Sequence, residues 1–129
     1  MKAILRITTL PLSEGGIQIL KDLFGEDIEI ITTYIQYSDD PVKDIYNEFV
    51  ALESNGYNVI AIEPTNALPH VFAKLIGGFN IPIIHPAFIQ DEIGRFISKS
   101  KDKYGMSIYE ISHYEVIEGV RLEIDSKPL

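Results

Sequence analysis

Two kinds of hydrophobic pattern alternate along the first two thirds of the chain. Short apolar runs rich in β-branched residues predict strands, and segments with apolar residues three or four positions apart predict helices. The strand-like runs cover residues 2–9, 27–35, 58–62 and 81–84, and the helix-like segments cover 13–24, 41–54 and 67–76. The predicted order is therefore βαβαβαβ.

Start and stop signals support these limits. Asp40 precedes Pro41, which is typical of a helix that begins with a capping carboxylate and a proline in its first turn. Gly25, the Asn55-Gly56 pair and the Gly77-Gly78 pair follow the three helical segments, where helices commonly end.

Strands that are apolar almost throughout and alternate with helices are typical of a parallel sheet covered on both faces. We therefore expect one doubly wound α/β domain spanning residues 1–129, Rossmann-like or resembling a truncated α/β-hydrolase. Its sheet would be mostly parallel, with four to five strands and helices on both faces. A chain of 129 residues is long enough to bury such a core as a single domain.

The last third of the chain is less regular. Residues 90–100 place apolar positions at helical spacing behind an acidic start, which predicts a fourth helix. Ser112 and Glu115 form a capping-box pattern that favours another helix within residues 113–125. The alternation of Val120, Leu122 and Ile124 is instead typical of a strand, so both alternatives stay open there.

Composition and charge narrow the classes of partner. Eleven basic against nineteen acidic residues give a net charge of −8, which repels phosphate backbones and anionic lipid surfaces. No apolar run approaches the roughly 20 residues of a membrane helix, and the first residues do not resemble a signal peptide. With no Cys in the sequence, we expect a cytoplasmic protein that binds neither nucleic acid nor membrane.

Candidate chemistry lies where the predicted strands end, because ligands of open parallel sheets bind beyond the carboxyl ends of the strands. The polar residues that the four strands bring to this edge are Thr8, Thr9 and Ser13; Tyr37, Ser38 and Asp39; Glu63, Thr65 and Asn66; and His85.

The segment Glu63-Pro64-Thr65-Asn66 is the richest of these, since an acid, a hydroxyl and an amide precede a helix within four residues. Thr65 and the following amides could hold an anion or an acyl oxygen. The alternative is that Thr65 or Asn66 serves as the N-cap of the helix.

His85 ends the fourth apolar run immediately before Pro86, at the rim of the predicted sheet. An imidazole there could act as a general base or bind a ligand, or it could form a structural hydrogen bond to a loop. His70 and His113 show no regular spacing to His85 or to carboxylates, so we expect no metal site.

The sequence gives only weak evidence for a nucleotide-binding motif. Gly15-Gly16 follows Ser13 at a helix start, but no glycine-rich phosphate-binding motif and no following lysine complete it. We therefore predict no resident cofactor.

The order of landmarks resembles the YqiA-like small α/β-hydrolases, an esterase-type family. The resemblance lies in residues 58–62 leading into Glu63-Pro64-Thr65-Asn66-Ala67 and residues 81–84 leading into His85-Pro86-Ala87-Phe88. It implies that Thr65 stands at the nucleophile position, with Glu63 and Ala67 replacing the two glycines of the family's nucleophile elbow. A strained elbow requires small residues, and no later Asp and His complete a triad, so we expect no ordinary serine-hydrolase activity.

Three interpretations of function follow. The first is a non-catalytic domain that binds a small ligand or a partner protein at the carboxyl edge of the sheet, in the crevice near Thr9, Thr65 and His85. The ligand-binding candidates are Thr8, Thr9, Ser13 and Asn66. The second is an active hydrolase or related enzyme that uses Thr65, His85 and Glu63. The third is a Rossmann-like nucleotide-binding regulatory module whose helix N-termini hold phosphates. A homo-oligomer is compatible with each, because a small sheet has edge strands to cover.

Overall fold

The structure, a computed structural model, describes residues 1–64, 69–118 and 128. In these parts of the chain the helices are α1 (Glu14–Phe24), α2 (Pro41–Ser54) and α3 (Pro69–Gly78). The strands are β1 (Lys2–Ile7), β2 (Glu29–Thr33), β3 (Asn58–Pro64), β4 (Ile84–Phe88), β5 (Ser98–Lys101), β6 (Ser107–Tyr109) and β7 (Ile111–Val116).

A parallel sheet of three strands, in the order β2-β1-β3, forms the centre of the fold. Its register places Arg6 of β1 between Thr32 of β2 and Glu63 of β3. Two further sheets are antiparallel and have two strands each, β4 with β7 and β5 with β6.

The prediction of a doubly wound sheet with four or five mostly parallel strands is therefore wrong. The fourth apolar run meets β3 through one parallel bridge, between Ile62 and Ile83, and the chain then pairs antiparallel with β7. Pro82 and Pro86 limit the parallel pairing, since neither has an N–H group that could donate to β3.

The predicted helix over residues 90–100 is also absent from the structure. The Asp91 carboxylate accepts hydrogen bonds from the N–H groups of Ile93 and Arg95, and Gly94 adopts a positive φ of 85°. These bonds form a tight turn that leads into β5.

The capping-box prediction at Ser112 is wrong as well, because residues 111–116 form strand β7. The Ser112 hydroxyl bonds to Nδ1 of His113 instead of capping a helix. Residues 119–127, which include the alternation of Val120, Leu122 and Ile124, lie outside the described residues.

Helices pack on both faces of the central sheet. Leu20 of α1 packs with Ile4 and Ala61 on one face. Neighbouring strand positions point to the opposite face, where Leu5 and Ile62 pack against Ile45 of α2 and Leu75 of α3, among other residues. The topology therefore leaves the carboxyl ends of β1, β2 and β3 together at one edge.

The first two helices begin as the sequence predicts. The Ser13 hydroxyl accepts a hydrogen bond from the Gly16 N–H at 3.0 Å, and Asp40 accepts one from the Lys43 N–H at 3.2 Å. Gly25 ends α1 with a φ of 123°, which a residue with a side chain rarely adopts. Within the described ranges, none of the helices has the length and apolar character needed to cross a bilayer.

Candidate functional site

A small cleft opens at the carboxyl ends of β1 and β2. Its volume is about 140 Å³, and its walls are the end of β1 (Ile7 and Thr8) and the segment that follows β2 (Tyr34, Ile35, Gln36 and Tyr37). We refer to it as the carboxyl-end cleft. Its position is the one at which open parallel sheets bind ligands.

Tyr37 gives the cleft an unsatisfied polar group. Its hydroxyl is buried and has no hydrogen-bond partner among the described residues. Burial, with a smaller contribution from the Asp44 carboxylate, raises the pKa of Tyr37 above its ordinary value of about 10. The hydroxyl therefore stays protonated near neutral pH and keeps its hydrogen-bond donor.

Asp44 reaches the same loop from the first turn of α2. Its carboxylate accepts hydrogen bonds from the backbone N–H of Ser38 at 2.7 Å and from the Ser38 hydroxyl at 2.9 Å. These bonds fix the segment that carries Tyr37 and place negative charge beside it. An anion would be repelled from this side of the cleft.

An ion pair lies in the sheet, one strand position before the Ile7 wall of the cleft. Nε of Arg6 donates to Oε2 of Glu63 at 2.9 Å, with side-chain exposures of 4% and 0%. The same guanidinium donates to the Thr32 hydroxyl and to the Leu10 carbonyl. Arg6 thus ties β2, β3 and the loop after β1 to one point on the central strand.

Tyr114 of β7 covers this pair from the second sheet. Its hydroxyl comes close enough to Glu63 to affect the ionisation of both groups. Neither that hydroxyl nor Oε1 of Glu63 reaches ordinary hydrogen-bond geometry with a described residue. Burial raises the pKa of Glu63 despite the opposing effect of Arg6, and burial followed by the Glu63 charge raises the pKa of Tyr114.

A chain of polar contacts joins β4 and β7 near the surface. Glu115 lies 3.4 Å from Nε2 of His85 and 3.0 Å from Nε2 of His113, with its side chain 54% exposed. The hydrogen bond with His113 is the main cause that lowers the pKa of Glu115. Within the described parts of the chain no three His, Asp or Glu side chains are arranged to hold a metal ion.

The predicted ligand residues of the first strand separate in the structure. Thr8 is 3% exposed, lines the carboxyl-end cleft and accepts a hydrogen bond from the Leu10 N–H. Thr9 is exposed and is not among the residues that line the cleft. Ser13 caps α1 and borders a different cavity of about 500 Å³, which Glu14 and Glu110 also line.

The predicted catalytic residues are only partly within the described chain. Glu63 is fully buried and paired with Arg6, whereas the His85 side chain is 44% exposed and pairs with Glu115. The two side chains are close enough for His85 to affect the ionisation of Glu63. Thr65 and Asn66 lie outside the described residues, so their position relative to this pair is not described.

Sequence reasoning missed Arg6 and Tyr114. Arg6 has a detectable signal, because a charged residue inside the otherwise apolar run of residues 3–7 must find a buried partner. Glu63 gives the matching signal at the end of β3. Tyr114 gives none, since its position opposite Pro86 depends on the antiparallel pairing of β4 with β7.

Comparison of the chain with protein-family models, with curated proteins and with solved structures finds no match. The resemblance to YqiA-like hydrolases therefore stays a prediction that none of these comparisons bears on.

Proposed function

We propose that the protein binds a small uncharged or cationic molecule in the carboxyl-end cleft, without acting on it chemically. The observation that carries this proposal is Tyr37, a residue of the cleft wall whose buried hydroxyl has no hydrogen-bond partner among the described residues. An unsatisfied buried hydroxyl costs about 1–3 kcal/mol, and a ligand acceptor would remove that cost.

The size of the cleft limits the ligand. A volume of about 140 Å³ lies well below the roughly 300–1,000 Å³ of pockets that enclose drug-sized molecules. A ring the size of benzene fills a cavity of about 150 Å³. The cleft therefore suits one small ring, or one ring of a larger ligand whose remainder stays in solvent.

The lining determines the chemical class. Ile7 and Ile35 offer apolar contact, Tyr34 offers an aromatic face, and Tyr37 offers the hydrogen-bond donor. The Asp44 carboxylate near Tyr37 and the net charge of −8 both disfavour an anionic ligand. A ring matches the apolar and aromatic contacts, and a hydrogen-bond acceptor on it matches the Tyr37 hydroxyl. The absence of negative charge avoids repulsion by Asp44.

The two alternative functions have less support. A base role for Glu63 needs access to a substrate, and its side chain is fully buried and held by Arg6. A phosphate at the start of α1 would meet the carboxylates of Glu14 and Glu110, which border that cavity.

The test is a screen of small uncharged and cationic heterocycles, detected by chemical-shift changes at the backbone amides of the cleft. Ligands that bind should shift Thr8, Ile35 and Tyr37, and Tyr37→Phe should weaken them at least about tenfold, the equivalent of one hydrogen bond of about 1.4 kcal/mol. Tyr46→Phe, which removes a hydroxyl from a half-exposed side chain on α2, is the matched control and should leave binding unchanged. A screen that shifts none of the cleft amides, or equal loss in both variants, would overturn the proposal.

A further inference from the structure

One wall of the carboxyl-end cleft lies beside a carboxylate. Asp44, in the first turn of α2, accepts hydrogen bonds from the Ser38 backbone N–H at 2.7 Å and from the Ser38 hydroxyl at 2.9 Å. Ser38 directly follows Tyr37, which lines the cleft. Asp44 also contributes, after burial, to the raised pKa of Tyr37, so the two groups are near each other. A negative charge is therefore held next to this wall.

Nothing in the described lining neutralises that charge. None of the described residues that line the cleft is basic, and among the described residues Asp44 forms no ion pair. Lys43 precedes Asp44 on α2 but is exposed. Arg6, one position before the Ile7 wall, is buried against Glu63. The charge of Asp44 is therefore left for a ligand to balance.

Two tyrosine rings form part of the same lining. Tyr34 is 64% exposed and Tyr37 is partly buried. A cation is attracted to the face of an aromatic ring and to a carboxylate at the same time. An uncharged ring gains the aromatic contact but nothing from Asp44, so the cleft distinguishes two ligands of one shape by their charge.

We propose that the ligand of the carboxyl-end cleft is a cationic aromatic ring, and that Asp44 is the residue that selects its positive charge. The inference rests on the proposed function, since it concerns the same cleft. A ring of the pyridinium kind combines the size that the cleft admits with a delocalised charge. As in a guanidinium group, a delocalised charge is more weakly hydrated than an ammonium, so it enters a partly apolar cleft more easily.

Three probes of one shape separate charge from fit. Nicotinamide is uncharged near neutral pH, the same molecule methylated on its ring nitrogen is a permanent cation, and nicotinate is an anion. Each has an oxygen that accepts a hydrogen bond. Titrations followed by the backbone amide shifts of Thr8, Ile35 and Tyr37 give the dissociation constants. The methylated cation should bind at least about tenfold more tightly than nicotinamide, and nicotinate should bind most weakly.

Substitution of Asp44 tests the source of this preference. Asp44→Asn removes the charge at nearly constant size and should bring the affinities for nicotinamide and its methylated cation within about twofold of each other. Ser38→Ala removes the hydroxyl that contacts Asp44 but keeps the charge, so it should keep the preference. Asp22→Asn, exposed on α1, makes the same change in net charge and should also keep it.

Salt gives a second measurement that needs no variant. The Debye length falls from about 10 Å at 0.1 M to about 3 Å at 1 M, so the preference for the cation should narrow as the salt concentration rises. This measurement decides the question even where Asp44→Asn disturbs the segment after β2.

The outcomes separate this inference from the proposed function. Equal binding of nicotinamide and its methylated cation by the unmodified chain would overturn the inference and leave the cleft as a binding site. A preference that survives in Asp44→Asn, that Asp22→Asn removes equally, or that salt leaves unchanged would also overturn it. Absence of shifts at the cleft with all three probes would overturn the inference, and the same result in the wider screen of heterocycles would overturn the proposed function as well.

Discussion

Nε of Arg6 lies 2.9 Å from Oε2 of Glu63, and both side chains are almost fully removed from solvent. The two residues stand directly opposite each other on adjacent parallel strands. Charge inside the sheet is costly unless it is paired, so each residue makes the other acceptable at its position.

Removing one partner should destabilise the fold more than removing both. Arg6→Met should lower the free energy of unfolding by about 3–5 kcal/mol, because Glu63 is left buried without its cation. The double variant Arg6→Met with Glu63→Leu should recover a large part of that loss. Urea titration of the single and double variants measures both, and additive losses would contradict the pairing.

The Arg6→Met loss should also depend on pH. Burial already raises the pKa of Glu63 in the folded state, and Arg6 is the main opposing influence. Without Arg6 the folded-state pKa rises further, so the stability contributed by the protonated carboxyl is present at low pH and is lost as pH rises through that value. Unfolding measured at about pH 5.5 and about pH 8 should show that Arg6→Met loses more free energy of unfolding at the higher pH. A loss independent of pH would show that Glu63 stays charged at both pH values.

Tyr37→Phe should not destabilise the free protein. The hydroxyl has no partner among the described residues, so its removal eliminates an unmet desolvation cost and should leave stability unchanged or raised by up to about 1 kcal/mol. Thermal unfolding tests this, and a loss of more than about 1 kcal/mol would indicate a structural hydrogen bond instead of a binding role.

The Tyr37 phenol should titrate above its ordinary value of about 10 because of burial and, to a smaller extent, Asp44. Asp44→Asn should therefore lower the pKa of Tyr37 but leave it above the value of an exposed phenol. Selective labelling of the tyrosine rings and an NMR titration measure the change. A shift of similar size at Tyr104, which is 78% exposed, would rule out a local effect.

The Glu115 carboxyl should titrate below its ordinary value of about 4.5, chiefly because of its hydrogen bond with His113. His113→Ala should raise the pKa of Glu115 more than His85→Ala does, since His85 contributes less. Because the folded-state pKa is lowered, the associated stability is present above the unfolded value and is lost as pH falls through the folded one. Carboxyl NMR shifts of the two variants give the comparison, and equal effects would contradict the dominance of His113.

Ser13→Ala should cost about 1 kcal/mol by removing the N-cap of α1. The hydroxyl accepts from the Gly16 N–H at 3.0 Å, and the side chain is buried. Ser54→Ala, at the exposed carboxyl end of α2, is the control and should change stability by less than about 0.5 kcal/mol. Chemical denaturation of both variants measures the difference.

Local signals located the first three strands and helices, but they also predicted helices over residues 90–100 and from Ser112 that the structure does not contain, and they did not identify the strand partners. Asp40-Pro41 and Ser13 mark helix starts through contacts within three residues, so the sequence alone locates them. The partner of β4 depends on residues 111–116, more than twenty positions away, and no local pattern encodes it. The sequence places that strand in the parallel sheet only because it follows a helix, as β2 and β3 do.

For the candidate site, the sequence predicts an edge of the sheet but not which residues face the cleft. The rule for open sheets selected the carboxyl edge, and Thr8 and Tyr37 both line the cleft found there. The rule does not distinguish a residue that faces the cleft from one that faces the core. It therefore also selected Glu63, whose side chain is buried in the ion pair with Arg6. Arg6 lies inside β1 and not beyond its end, so the same rule does not select it.

The cover over Arg6 and Glu63 comes from late in the chain, since Tyr114 belongs to β7. During synthesis the three central strands leave the ribosome long before their cover does. Until residue 114 emerges, the ion pair remains open to water on that side, so its burial is complete only once β7 has been made.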